Sequence, residues 1–359
     1  MAFYYTIDNE TESGRRTARN LLALKRRLAE EIPRRTVTDT LLLATWNIRE
    51  FDSAKYGTRT NEAFHYIAEI VSHFDLVAIQ EVRDDLTALK QLRYLLGDET
   101  WDYVLTDVTE GTRGNRERMA FLYDAKKVQF GGLAGEVVLP ETRTPGGIVI
   151  PRQLARSPFL VGFQVGWFKF MLCTVHILYG TATAEDPERI EEIKALSGFL
   201  VKRAKDRHAW AKNLILLGDF NIFRPTDVTL RAISDAGFVV PEQIQQLPSN
   251  AARNKHYDQI AFWAPHLERQ LATLDAGVFD FYELLLRGED QETYVEAMGE
   301  AYTKKSDGAP RDEAGKKRYY RDWRTYQLSD HLPMWVELKI DFGVEYLEGK
   351  SRPPGSPPG

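Results

Sequence analysis

Nine residues of types that handle metal ions, protons or phosphate stand at the ends of apolar runs. Asn47, Glu81, His176, Asp219 and Asn221 follow such runs, and Glu117, Asp258, Asp330 and His331 precede them. Carboxylate and amide oxygens suit a hard cation such as Mg²⁺, which binds through one or two carboxylates together with substrate phosphate. A cation on a phosphoryl oxygen acts as a Lewis acid and can acidify water. Histidines beside it can carry protons to the leaving oxygen or from the attacking one. The chemistry this set suits is hydrolysis of a phosphate ester. The sequence has no thiolate cluster and no close His pair, which argues against structural zinc.

Residues so far apart can meet only if strands carry them to one edge. LLLATW (41–46), DLVAIQ (75–80), MAFLYD (119–124), NLILLG (213–218), QIAFWA (259–264) and LPMWVELKI (332–340) read as strands. FQVGWFKFMLCTV (163–175) reads as two strands with a turn near Gly166, and the sequence after residue 124 as looser β-structure to about Ile150. NEAFHYIAEIVSHF (61–74) and ERIEEIKALSGFLVKRAK (188–205) have helical periodicity. The alternation predicts an α/β (α+β) sandwich. Antiparallel neighbours place the end of one strand beside the start of the next, so a mixed sheet can gather all nine residues along one rim. Ahead of it, Leu21, Leu24, Leu28 and Ile32 recur at near-helical spacing. They predict an amphipathic helix over about 15–31 whose basic residues form a solvated outer face.

Composition narrows the setting. Cys173 is the single cysteine of 359 residues, so no intrachain disulfide can form and a reducing compartment is favoured. The first residues lack an apolar stretch behind a positive flank, and no run reaches membrane-spanning length. The expectation is a cytoplasmic monomer with no stable membrane association, secretion by another route being left open. A formal net charge of −5 argues against coating nucleic acid by bulk electrostatics, though not against engaging it locally.

The motifs TWNIREF (45–51), IQEVRD (79–84), ERMAFLY (117–123), VHI (175–177), LGDFN (217–221), HYDQIAF (256–262) and SDHLPM (329–334) resemble, in order, those of the endonuclease/exonuclease/phosphatase superfamily. The resemblance covers about residues 40–265 and 325–342. It implies a four-layer, deoxyribonuclease I-like sandwich of two mixed β-sheets flanked by helices. That domain would span 40–342 with an insertion at about 280–325, after an N-terminal helical extension (1–39) and before a disordered Pro/Gly-rich tail (343–359). By resemblance, Glu81 is the main metal ligand supported by Asn47, and Asp219, Asn221 and Asp330 form the other half of the site. The implied cofactor is Mg²⁺, with Mn²⁺ or Ca²⁺ as substitutes. His331 resembles the catalytic histidine, oriented by Asp258. His176 with Glu117 resembles the second His–carboxylate pair of the deoxyribonuclease I branch, and Asp219 and Asn221 would share in catalysis. Arg83 and Arg156 resemble that branch's phosphate-contacting arginines, whose forked donors fit phosphate oxygens.

The implied activity is a Mg²⁺-dependent phosphodiesterase, a nuclease hydrolysing DNA or RNA by metal-assisted in-line attack of water. The alternative is a phosphatase or phosphodiesterase acting on phosphoinositides, sphingomyelin or other small phosphate esters. The intact polar set argues against a non-catalytic binding module. Which histidine is acid and which is base stays open. One departure is Asn115, where nuclease relatives place a tyrosine used on the minor groove. KKRYYRDWRTY (316–326) interleaves basic and aromatic residues; it could bind bases and phosphates, but a charged helix packed beside the core is the simpler reading. His65, His73, His208 and His266 are read as structural, and Cys173 as an inert buried thiol.

Overall fold

Strand β1 (Thr40–Phe51) shows why the sandwich has four layers. Leu41 and Leu43 join the cluster between the sheets, while Leu42, Ala44, Trp46 and Ile48 pack beneath helices. A strand covered on both faces must be almost continuously apolar. The computed structural model describes residues 2–51, 53, 55, 57–111, 113–144, 147–149, 151–263 and 273–351, with the backbone alone for 142–144 and 147–149.

The strands that follow are β2 (Leu76–Val82), β3 (Trp101–Leu105), β4 (Arg118–Asp124), β5 (Gln129–Glu136), β6 (Thr142–Thr144) and β7 (Gly147–Val149). They continue with β8 (Phe159–Val165), β9 (Phe168–His176), β10 (Asn213–Asp219), β11 (Asp258–Trp263), β12 (Thr273–Val278) and β13 (Met334–Lys339). One sheet has the order β12-β13-β1-β2-β4-β3, the other β11-β10-β9-β8-β5, and β6-β7 form a small ribbon. Helices α1 (Glu12–Glu31), α2 (Asn61–Ser72) and α3 (Thr87–Leu96) cover the first sheet. Helices α4 (Pro187–Lys205) and α5 (Val228–Asp235) cover the second.

The predicted rim follows from strand direction. β1 and β2 are parallel, as are β9 and β10, so each pair ends on one side. The antiparallel partners β13, β4 and β11 begin there. Asp219 lies in register with both His176 and Asp258.

Three regions refine the sequence reading. α1 begins at Glu12, where the Thr11 hydroxyl accepts from the Gly14 amide. The helix belongs to the domain's outer layer: Leu21, Leu24 and Leu28 are buried with α2. Its basic face is partly committed as well, because Arg16 pairs with Glu62 at 2.6 Å and Lys25 with Glu69 at 2.9 Å. The 280–325 insertion packs Phe281, Tyr294, Tyr302, Tyr320 and Trp323 into the same cluster. Within it KKRYYRDWRTY lies in helix α6 (Glu313–Gln327), with Tyr319, Tyr320, Trp323 and Tyr326 buried, which is the simpler of its two readings. The tail opens with helix α7 (Gly343–Ser351), while residues 352–359 and His266 lie outside the described residues.

Candidate functional site

The rim begins with backbone that few side chains tolerate. Glu81 (φ 62°) and Asn221 (φ 53°) both sit in the left-handed region, and so does Glu50 (φ 43°). Such strain of order 1–3 kcal/mol per residue persists only where surroundings enforce it. Asn221 is enforced by its amide donating to Asp219 Oδ1 (2.8 Å) and its Nδ2 to the Ile177 carbonyl (2.8 Å). Gly218, two residues before Phe220, has φ 128°, and a Cβ there would lie 2.2 Å from the Val175 carbonyl oxygen. Glycine lets β10 and β9 approach closely enough to bring Asp219 beside His176.

Two histidines face each other across the rim. His331 Nδ1 and Asp258 Oδ2 are 2.8 Å apart; His176 Nδ1 and Glu117 Oε2 are 2.7 Å apart. All four residues are buried. The Nε2 atoms of both rings approach the same oxygen, Asp219 Oδ2, at 3.5 Å from His176 and 3.7 Å from His331. Burial alone would lower the His331 pKa, but Asp258 and then Asp219 overcome it and raise it well above the usual value. Burial and Arg156 likewise oppose protonation of His176, and Glu117 with Asp219 outweighs them and raises it. Burial would raise the Glu117 carboxyl, yet His176 and Arg156 hold it down at about 2.

Asn47 bridges the remaining carboxylates. Its Nδ2 donates to Glu81 Oε1 (3.0 Å) and to Asp219 Oδ2 (3.1 Å), while its buried Oδ1 has no hydrogen-bond partner among the described residues. Glu81 is half-buried and receives the Glu50 amide at 2.7 Å. Burial raises its pKa, and the neighbouring Glu117 and Asp330 add to this against His176. Glu81, Glu117 and His176 each offer a donor atom within 4.8 Å of the others. The fit to a hard divalent ion is good: Glu81, a carboxylate that ionises only at a cost, lies among further carboxylates beside the Asn47 amide oxygen.

The other predicted residues sit at the edges. Asp330 is half-exposed and lies 3.7 Å from Arg49, so its influence on Glu81 and His331 is electrostatic. Arg156 is engaged on Glu117, with Nε at 2.7 Å. Arg83 meets Glu50 at 3.2 Å and donates to the Asn115 carbonyl. Asn115 itself donates to Glu117 Oε1 at 2.6 Å.

Two organisers escaped the sequence reading. The Ser329 hydroxyl donates to the Asn47 carbonyl (2.6 Å) and accepts from the amides of His331 (3.0 Å) and Arg49 (3.1 Å). Gln80 Nε2 spans the sheets to Thr174 Oγ1 (2.8 Å). A serine two residues before His331 was a usable signal for the first; nothing in the sequence marked the second.

A family model described as the endonuclease/exonuclease/phosphatase family matches residues 44–236. A deoxyribonuclease of Thioalkalivibrio sp. is 30% identical over 249 residues, 67% of this chain and 62% of that protein. The chain thus spans less than two thirds of that relative's length. Deoxyribonuclease-1 of Bos taurus is 27% identical over 255 residues, 67% of this chain and 84% of that one. Among solved structures, an endonuclease/exonuclease/phosphatase from Bacteroides vulgatus aligns with TM-score 0.51 and 14% identity, over 84% of this chain and 99% of that one. The human Nocturnin catalytic domain with bound sulfate aligns with TM-score 0.51 and 13% identity, over 84% and 95%. At these identities the structural likeness speaks for the fold.

Proposed function

Because the chain belongs to the endonuclease/exonuclease/phosphatase family, we propose that it is a Mg²⁺-dependent phosphodiesterase that cleaves nucleic acid, DNA foremost. The observation that carries this reading is the convergence of two carboxylate-held imidazoles on Asp219 Oδ2, at 3.5 and 3.7 Å. The deoxyribonuclease relatives support the choice of substrate.

A carboxylate on Nδ1 fixes the tautomer and steadies the imidazolium, leaving Nε2 to serve the reacting oxygens. Asp258 does this for His331 and Glu117 for His176. One ring takes a proton from the attacking water and the other supplies one to the departing ester oxygen. Both Nε2 atoms lie against the same Asp219 oxygen, so either ring is placed for either part. Glu81 with Asn47, and Asp219 with Asn221 and Asp330, would hold the cation. When bound, it supplies Lewis-acid stabilisation of charge on the phosphoryl oxygens. Arg156 and Arg83 would exchange their carboxylate and carbonyl partners for phosphate oxygens.

A second reading, hydrolysis of small phosphate esters, rests on Asn115, which donates to Glu117 where the resemblance implies a groove-contacting tyrosine. The test uses supercoiled plasmid and single-stranded oligonucleotide with Mg²⁺, with EDTA, and with His176→Ala. EDTA should abolish cleavage, and the substitution should slow it by about 10²–10⁴-fold. Undiminished cleavage in both controls removes the proposal; turnover of inositol phosphates or sphingomyelin in place of DNA selects the second reading.

A further inference from the structure

Immediately beyond His176 the chain enters a surface loop that is held far more firmly than a connection needs. Arg189 of α4 is fully buried and makes no ion pair among the described residues. Its guanidinium is spent on loop carbonyls: those of Leu178 (3.3 Å), Thr183 (3.2 Å), Thr181 (2.9 Å) and Tyr179. Asp186 closes the loop from the other end, its Oδ2 accepting from the Thr181 amide (2.9 Å) and hydroxyl (2.8 Å). A buried cation used in this way is costly, and what it fixes in place is Tyr179, a ring 41% exposed.

Tyr179 does not stand alone. Its ring lies 5.8 Å from Phe223 and 6.5 Å from Tyr257, and Tyr257 lies 5.4 Å from the His331 imidazole. Lys255 caps the group, with Nζ 3.8 Å from the centroid of Phe223 and no ion pair among the described residues. Aromatic faces leading away from a phosphate-handling centre, with an ammonium alongside that makes no ion pair among the described residues, match a base followed by the next backbone phosphate.

Building on the nuclease reading, we propose that Tyr179, backed by Phe223 and Tyr257, is a stacking platform for an unpaired nucleobase flanking the scissile phosphate on the His331 side, and that Lys255 receives the adjoining phosphate. A base still paired within a duplex keeps its faces covered, so the platform favours single strands and frayed ends.

The test compares the full chain with Tyr179→Ala and Tyr179→Phe on a single-stranded oligonucleotide and on the same strand with one abasic site next to the cleaved bond. Tyr179→Ala should raise KM roughly 5- to 150-fold on the intact strand, and Tyr179→Phe should stay near wild type. On the abasic strand the wild type should lose the same factor, and Tyr179→Ala should lose nothing further. An equal loss on both strands, or no change in KM, overturns the platform while leaving the nuclease reading standing. Failure of the wild type on both single strands overturns the platform, and failure on supercoiled plasmid as well overturns the nuclease reading with it. Thermal melts of the variants identify any loss that comes from misfolding.

Discussion

Replacing Asp258 by asparagine isolates charge from shape. Asp258 Oδ2 and His331 Nδ1 are 2.8 Å apart, and neither side chain meets bulk water freely. Removing one partner of a buried ion pair costs about 3–5 kcal/mol. The amide oxygen of Asp258→Asn can still accept the Nδ1 proton, which returns about 1 kcal/mol. The expected destabilisation is therefore about 2–4 kcal/mol. Its pH dependence follows from His331, whose folded pKa lies above the unfolded value of about 6.5. A raised pKa contributes stability that is complete below the unfolded value and is lost as pH climbs through the folded value. The gap between wild type and Asp258→Asn should thus be widest below about pH 6.5 and narrow as pH rises through the raised His331 value, in urea melts run with EDTA. Cleavage with Mg²⁺ restored should fall by about 10²–10⁴-fold in kcat, since the imidazole loses the charge that holds its proton. A variant within threefold of wild type, or a stability gap that ignores pH, would refute the assignment of Asp258 to His331.

Glu81→Gln should raise the half-saturating Mg²⁺ concentration by more than the roughly 10–100-fold that outer-shell partners are worth; activity titrated with Mg²⁺ reads this, and an unmoved curve would take Glu81 out of the metal site. Asp75 lies at the opposite end of β2, fully buried, with Arg35 Nε and Lys127 Nζ each at 2.6 Å and the Leu42 amide at 2.9 Å. Asp75→Asn should cost about 3–5 kcal/mol in denaturant melts while kcat of the folded protein stays put, because about 20 Å of strand separates it from Glu81; a proportionate fall in kcat would contradict that separation.

The site was legible because polar side chains at the end of apolar strands are conspicuous. Asn47 after LLLATW or Asp219 after NLILLG breaks a pattern that burial on both faces imposes, and strand direction then fixes where the break lands. Edge strands gave no such contrast. β12 (TLDAGV) has no buried residue at all, and β3 buries only Trp101, so neither carries the apolar run that marks a central strand. α7 was missed because its sequence is weakly apolar and none of its residues is buried. The left-handed backbone of Glu81 was hidden for another reason: glutamate has no preference for it, and the Glu50 amide and the Asn47 side chain that hold its carboxylate come from another strand. Arg189 looked like any charged helix residue, since its purpose lies in the carbonyls of a loop whose path the sequence does not state.

Three pairings at the rim join one layer to the other. His331 and Glu117 adjoin the first sheet, yet their partners Asp258 and His176 belong to the second, and the Asn47 amide reaches across to Asp219. Either half alone would leave these groups hydrated and unpaired, and docking withdraws them from water as it pairs them. On the proposed reading, a half-assembled chain would have every reagent and no machine, and catalysis would come only with the finished shape.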